Sequence, residues 1–301
     1  MNQNGSVLIF VLIFVAFTLG VVTLMHQQAG ISMEDSATLQ HEYQSSIYAM
    51  SAIEAVRELL EDDDNSYDED GETWALLPPF PVEGGFISIT ITPTDGRIPL
   101  NLMDNDNDTT YYDACKGAMK ELELDEYTCS VIKDWIDENH EISDMGEESI
   151  TYEIDGRTYH VKNGQMETLR ELMFINKAKD NFNVMSDHFT NIGTGKLNLN
   201  FVTREALIGL IPSLAPYADD IIEYRKKNIY KDVSNIMNAA TIPMNVFNNS
   251  VNLLSVKSSF FYVKTEVNLN DVSRFYHVLL SRDGTRTRVV KYIEGKDGVF
   301  F

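Results

Sequence analysis

MNQNGSVLIFVLIFVAFTLGVV, Met1 to Val22, is the stretch on which the reading of this chain turns. Five polar or small residues precede an apolar run that stays uncharged from Ser6 to Met25, twenty residues in all. Coiled as a helix at 1.5 Å per residue, they reach about 30 Å, one hydrocarbon core. A secretory signal would put a basic segment before a shorter apolar stretch and a small-residue cleavage site after it. Here no Lys or Arg precedes the run, and Gly20 to Gln28 contains no small-x-small site. The small residue at the polar–apolar junction is Gly5, on the near side. A cut there removes a polar leader and keeps the apolar helix; the plainer alternative is an uncleaved single-pass anchor.

Working outward, the helical pattern runs past the apolar segment. Leu39, Tyr43, Ile47, Met50, Ile53, Val56 and Leu60 recur every three or four residues, which predicts one apolar face of a continuing helix. EDDDNSYDEDG (Glu61–Gly71) cannot bury itself and reads as a solvated loop. FISITIT (Phe86–Thr92) alternates with period two, and RIPLNLM (Arg97–Met103) reads as a second strand with Pro99 marking an edge. From Thr109 to about Met244 the pattern is mainly helical. It covers Tyr112–Glu123, Glu126–Glu138, Met166–Phe174, Arg204–Ile211, Ala215–Lys227 and Asp232–Asn238, with a short strand pair around Asp155-Gly156. Three strands close the chain, joined by turns at Asn270-Asp271 and Asp283-Gly284. Strands, a helical block, then strands predict one sheet packed on the long helix, with the block emerging from a loop between its halves.

The balance of 24 basic against 46 acidic residues leaves a net charge of −22, which repels nucleic-acid phosphates and suits divalent cations. With the single apolar span leading, the rest of the chain is expected outside the cytoplasm, where disulfides persist. The two cysteines, Cys115 and Cys129, are then either two free thiols or, the preferred reading, a bridge closing a loop of about 14 residues.

The leader ending in Gly5, the apolar helix, its amphipathic extension and the small sheet together resemble the type IV pilin class. Three further stretches narrow the resemblance to the general secretion pathway protein K family, the large minor pseudopilins of the type II secretion system. They are GRIPLNLM (Gly96–Met103), KDWIDENHEISDMGEESITY (Lys133–Tyr152) and LNLNFVTREALIGLIPSLAPYADDIIEYRKK (Leu197–Lys227). The resemblance implies an α+β fold. A pilin-like N-terminal helix packs on a small antiparallel sheet and carries a large, mainly helical insertion of SAM-like or helix-hairpin-helix-like character. The organisation it implies is a leader at 1–5, a transmembrane segment at 6–25 and the pilin-like helix with its first strands at 26–103. An insertion then fills 104–257, in two parts at about 104–197 and 198–257, and closing strands occupy 258–301.

The role it implies is a tip subunit that assembles with other minor pseudopilins through their N-terminal helices, initiates the filament and supports export across the outer membrane. Prepilin peptidase would cut after Gly5 and leave Ser6 as a methylated N-terminus. The helix would anchor in the inner membrane beside the secretion platform, with the N-terminus cytoplasmic and the bulk of the chain periplasmic. Major pilins resemble one another in a glutamate fifth in the mature chain, which pairs with a neighbour's N-terminus; here that position is Phe10, as suits a subunit with nothing above it. The leader Met1–Asn4 departs from the pattern in carrying no basic residue.

DWIDENHEISDMGEE (Asp134–Glu148) is the candidate metal loop. Counted from Asp137, Asn139 and Glu141 fall third and fifth and Glu148 twelfth, as in an EF-hand, but Ile142 stands where that turn needs Gly. The resemblance implies calcium here, with Asp134, Asp137, Asn139, Glu141, Asp144, Glu147 and Glu148 as candidate ligands; the alternative is a solvated acidic helix end. DNDND (Asp104–Asp108) reads as a solvated loop. Thr203–Lys227 resembles a helix-hairpin-helix, but its hairpin lacks a glycine pair and Asp219-Asp220 stand where phosphate would sit, so no nucleic-acid partner is expected. No nucleophile elbow, P-loop or zinc spacing appears, and the chain is read as a non-enzyme. Two other readings stay open: a membrane-anchored extracytoplasmic binding or hydrolytic domain, and a minor pilin of a type IV pilus-like system.

Overall fold

The computed structural model describes residues 3–105, 107–143, 146, 152–154 and 157–296. Helix α1 runs without a break from Gln3 to Asp62. Straight-chain and apolar residues dominate it and no proline interrupts it, and it stops at the Asp62-Asp63-Asp64 run. Carboxylates there meet the negative end of the helix dipole, so adding further turns is unfavourable.

Five strands form one antiparallel sheet whose spatial order follows the chain: β1 (Phe80–Val82), β2 (Gly85–Pro93), β3 (Phe260–Leu269), β4 (Val272–Asp283) and β5 (Arg286–Glu294). β2 pairs directly with β3, Gly85 opposite Leu269 and Pro93 opposite Phe261, although residues 94–259 lie between them in sequence. The β3–β4 hairpin closes on Asn270 (φ 50°) and Asp271 (φ 63°), both left-handed as a tight two-residue loop requires. One sheet face carries Ile87, Ile89, Ile91, Phe261, Val263, Val267, Tyr276, Val278 and Leu280, and buries them against Ala49, Ala52, Ile53, Val56 and Leu60 of α1.

The helix does not present the single face read from its spacing. Ile53, Val56 and Leu60 are buried, but Leu39, Tyr43, Ile47 and Met50 are 44 to 71% exposed. At 100° per residue these four lie about 120° round the helix from the buried row. Consecutive three- and four-residue steps do not stay in one line, so the row drifts off the side of the helix that the sheet covers. RIPLNLM is likewise not a strand of this sheet. Ile98-Pro99 pairs in parallel with Phe189-Thr190, Leu100–Asp104 forms a 3₁₀ turn, and Ile98, Leu100 and Met103 join a second core. Pro99 has no N–H for a ladder, which explains the early stop. The helix expected at Met166–Phe174 shortens to a 3₁₀ stretch, Leu169–Phe174.

That second core belongs to the block between β2 and β3. Its principal helices are α2 (Thr110–Glu121), α3 (Tyr127–Ile136), α4 (Arg204–Leu210) and α5 (Ala218–Arg225). α2 and α4 cross closely because Gly117 and Gly209 meet at the contact: a Cβ on Gly209 would stand 2.6 Å from the Ala114 carbonyl. Cys115 and Cys129 are bonded, linking α2 to α3 with Cα atoms 6.0 Å apart in the dry interior. The Asp155-Gly156 turn of the short hairpin lies outside the described residues.

Candidate functional site

Three features bear on function: the exposed helix, the acidic loop and the neck that carries the inserted block.

Leu8–Ala29 is long and apolar enough to cross a membrane, and all of it stands clear of the rest of the chain. Its hydroxyls turn inward on the helix, Thr18 Oγ1 donating to the Phe14 carbonyl at 2.9 Å and Thr23 Oγ1 to Leu19 at 2.8 Å, so neither needs an outside partner in lipid. Gly5 and Ser6 lie in the first turns of α1, and Phe10 is exposed on its surface. Below the span, Leu39, Tyr43, Ile47 and Met50 form an exposed apolar stripe, while the Arg274–Glu42 pair at 2.8 Å braces another side of the helix on β4.

In the acidic loop the structure brings together part of the candidate set. Asp134, in the last turn of α3, and Asp137, just past it, are both fully buried. Asp134 Oδ1 accepts the Ser143 N–H at 2.9 Å, and a side chain on Gly146 would collide with its other oxygen, so the loop backbone passes directly over this carboxylate. Asn139 is half-buried and its amide oxygen accepts the Glu141 N–H at 2.6 Å, while the Glu141 side chain faces solvent. Asp144, Glu147 and Glu148 lie outside the described residues. The two carboxylates lie three residues apart at the negative end of the α3 dipole. Hard oxygen donors in a loop suit calcium in kind.

The neck was not legible as a site. Asp68, inside the run read as a solvated loop, is fully buried: Arg282 Nη2 reaches its two oxygens at 2.5 and 2.6 Å, and the Ser258 N–H donates at 2.5 Å. The Arg282 guanidinium lies 4.7 Å from the centre of the Phe261 ring beneath it. Burial raises the Asp68 carboxyl above the usual range against the opposing pull of Arg282, and burial also raises its neighbour Asp63. Asp63, Asp68 and Glu72 bring carboxylate oxygens within 4.8 Å of one another, and burial, abetted by the other two charges, pushes Glu72 up to about 7. Asp95 closes the other side of the neck, accepting the Ser259 and Phe260 N–H groups at 2.8 and 3.0 Å; burial pushes its carboxyl up to about 6 despite those bonds. Entry and exit of the inserted block are thus stapled together. The only sequence signal was the lone Arg282 at an inward-facing position of a strand. By contrast, the exposed positions described in Asp104–Asp108 are solvated as read.

In the hairpin-like segment, Asp219 at the start of α5 pairs with Arg204 Nε at 2.7 Å, and Arg204 also reaches Glu121 at 2.8 Å. The carboxylates Asp219 and Asp220 stand in the first turn of that helix, in line with the chain's acidic balance.

This architecture has known counterparts. The sequence is 22% identical over 320 aligned residues to type II secretion system protein K of Pectobacterium carotovorum subsp. carotovorum, covering 96% of both chains. The chain resembles protein K from end to end. The same fold recurs in the crystal structure of the GspK-GspI-GspJ complex from the enterotoxigenic Escherichia coli type 2 secretion system, with a TM-score of 0.73 at 15% identity over 87% of this chain and 99% of the other. No protein-family model matches the sequence. The resemblance to protein K and the α+β architecture read from the residues are therefore both borne out, the second by the elements themselves.

Proposed function

We propose that this chain is a minor pseudopilin of a type II secretion pseudopilus, seated at the tip, where it nucleates the filament and supports protein export. The observation that carries the reading is α1: one side of its lower half is spent on the chain's own sheet, while Leu39, Tyr43, Ile47 and Met50 form a second, exposed apolar stripe on the same helix as Leu8–Ala29. A helix apolar on a second face is unfavourable in water alone but suits a bundle of like helices. The relative of known structure sits in a complex with two other subunits, which supports other minor pseudopilins as the partners.

In this reading the peptidase cuts after Gly5, Ser6 becomes the methylated N-terminus, and the helix serves first as inner-membrane anchor beside the platform and then as filament core. The inserted block, braced at the neck, is too wide for a shaft and sits above it. No covalent chemistry is asked of the subunit. The acidic loop would hold calcium through Asp134 and Asp137, where the ion would supply the positive charge that fixes the loop.

Intact mass and N-terminal peptide mapping, on protein from membranes of a host with prepilin peptidase, test the processing. A methylated Ser6 start is expected; a Met1 start with the helix intact returns the chain to an anchored extracytoplasmic domain. Ile47→Glu should leave folding unchanged and abolish co-purification with partner pseudopilins.

A further inference from the structure

Above the sheet, on the face turned away from α1, lies a groove of about 380 Å³ between the last two strands and the inserted block. Pro99, Ile192, Leu279 and Val290 give it an apolar floor and walls. A β-bulge at Leu279/Leu280 leaves Val290 without a partner across the ladder and turns it, with Lys291, toward the groove. Bulges of this kind re-aim side chains at edges and binding sites.

Asn191 lines the same groove and is only 4% exposed. Its Nδ2 donates to the Met166 carbonyl at 3.2 Å, which fixes the amide orientation, while its Oδ1 is buried with no hydrogen-bond partner.

The rim carries basic residues. In a chain of net charge −22, strand β5 carries Arg286 and Arg288, and its Lys291 is paired at 3.1 Å with Glu167, which also lines the groove. β5 is also the sheet's edge. Its start is covered by α1, with the Thr287 N–H donating to Glu61 at 2.8 Å and Arg57 donating to the Thr287 carbonyl at 3.2 Å. Past that point Val290 is 47% exposed, while Tyr292 reaches back to Ser46 of α1.

We propose that the open half of β5 and this groove bind an extended acidic segment of another polypeptide. An apolar side chain of the segment lies on Val290, and flanking carboxylates face Arg286 and Arg288. Strand addition at an edge supplies main-chain affinity and the pocket supplies selectivity. Arg286 and Arg288 favour acidic chains over basic ones.

The test uses the full-length protein in detergent micelles and a fluorescein-labelled nine-residue peptide of alternating valine and glutamate, with its valine–lysine counterpart, read by fluorescence anisotropy. Saturable binding of the glutamate peptide, at least ten-fold tighter than the lysine peptide, is expected. Val290→Asp and Arg288→Glu, both at exposed positions, should each weaken it ten-fold or more with an unchanged unfolding midpoint. No saturable binding, equal binding of the two peptides, or binding indifferent to both substitutions would overturn the proposal. None of these readouts needs filament assembly, so the site and the tip reading stand or fall separately.

Discussion

Arg282→Met should loosen the joint between the sheet and the inserted block. Arg282 and Asp68 are both buried, and the guanidinium supplies the two short contacts that hold the carboxylate, with the Ser258 N–H as a further donor. Methionine keeps the length of the stem but leaves Asp68 charged, dry and dependent on a main-chain donor. Removing one partner of a buried pair costs about 3–5 kcal/mol, two to four powers of ten in the unfolding equilibrium.

The loss should depend on pH. Burial already raises the Asp68 carboxyl, and Arg282 is the largest influence holding it down, so its removal raises that carboxyl further. A raised folded-state pKa means that the folded chain keeps a proton the unfolded chain releases. The defect is therefore small below the ordinary carboxylate range and grows as pH climbs through the folded-state value. Urea unfolding of the micellar protein, followed by Trp74 fluorescence in a Trp135→Phe background, reads the core beneath the joint, since Trp74 packs edge-on to Phe261 at 5.4 Å. Adding Asp68→Asn to the Arg282 variant should restore half the loss or more at pH 8 and flatten the pH slope. A loss under about 1 kcal/mol at pH 8, or the same loss at pH 4 and pH 8, would refute the reasoning.

Other outcomes follow from the same geometry. Replacing Cys115 and Cys129 by serine should lower stability by about 3 kcal/mol through the short loop they close, read at Trp135 in the same block. Asp95, raised from 3.8 to about 6 in the folded state, contributes stability that is complete below the unfolded value and is lost as pH rises through about 6. Asp95→Asn should therefore remove about 3 kcal/mol of pH-dependent change between pH 4 and pH 7, measured as the urea midpoint at each pH. Calcium at a hundred times its dissociation constant should stabilise the inserted block by about 2.7 kcal/mol, again read at Trp135, and Asp137→Asn should abolish the shift. An unchanged midpoint in millimolar calcium would remove the metal from the proposal.

What could be read in advance was what local pattern encodes. The twenty uncharged residues from Ser6, the period-two run at Phe86–Thr92 and the Asn270-Asp271 turn each carry their structure within a few residues, and each appears where expected. Asp68 was hidden because its partner Arg282 is 214 residues away, and nothing in an acidic run separates a buried member from its solvated neighbours. The stripe on α1 was misassigned for a related reason. Spacing alone locates apolar residues on a helix, whereas the extent of the opposing sheet decides which of them are covered. Arg97–Met103 failed as a strand because Ile98, Leu100 and Met103 satisfy either a strand or a turn, and the neighbouring block settled the choice. In the acidic loop, burial of Asp134 and Asp137 came from the α3 side of the fold, which composition does not reveal.

The pairing of β2 with β3 across residues 94–259 sets a timetable for folding. As the chain emerges N-terminus first, Ile87, Ile89 and Ile91 are present early but lack their ladder until the last forty or so residues arrive. The intervening block, rich in short-range helical contacts and with both cysteines within 14 positions, is free to collapse first, since nearby contacts form faster than distant ones. During that interval α1 and the first strands must wait, their apolar faces uncovered. The segment synthesised first is the one completed last.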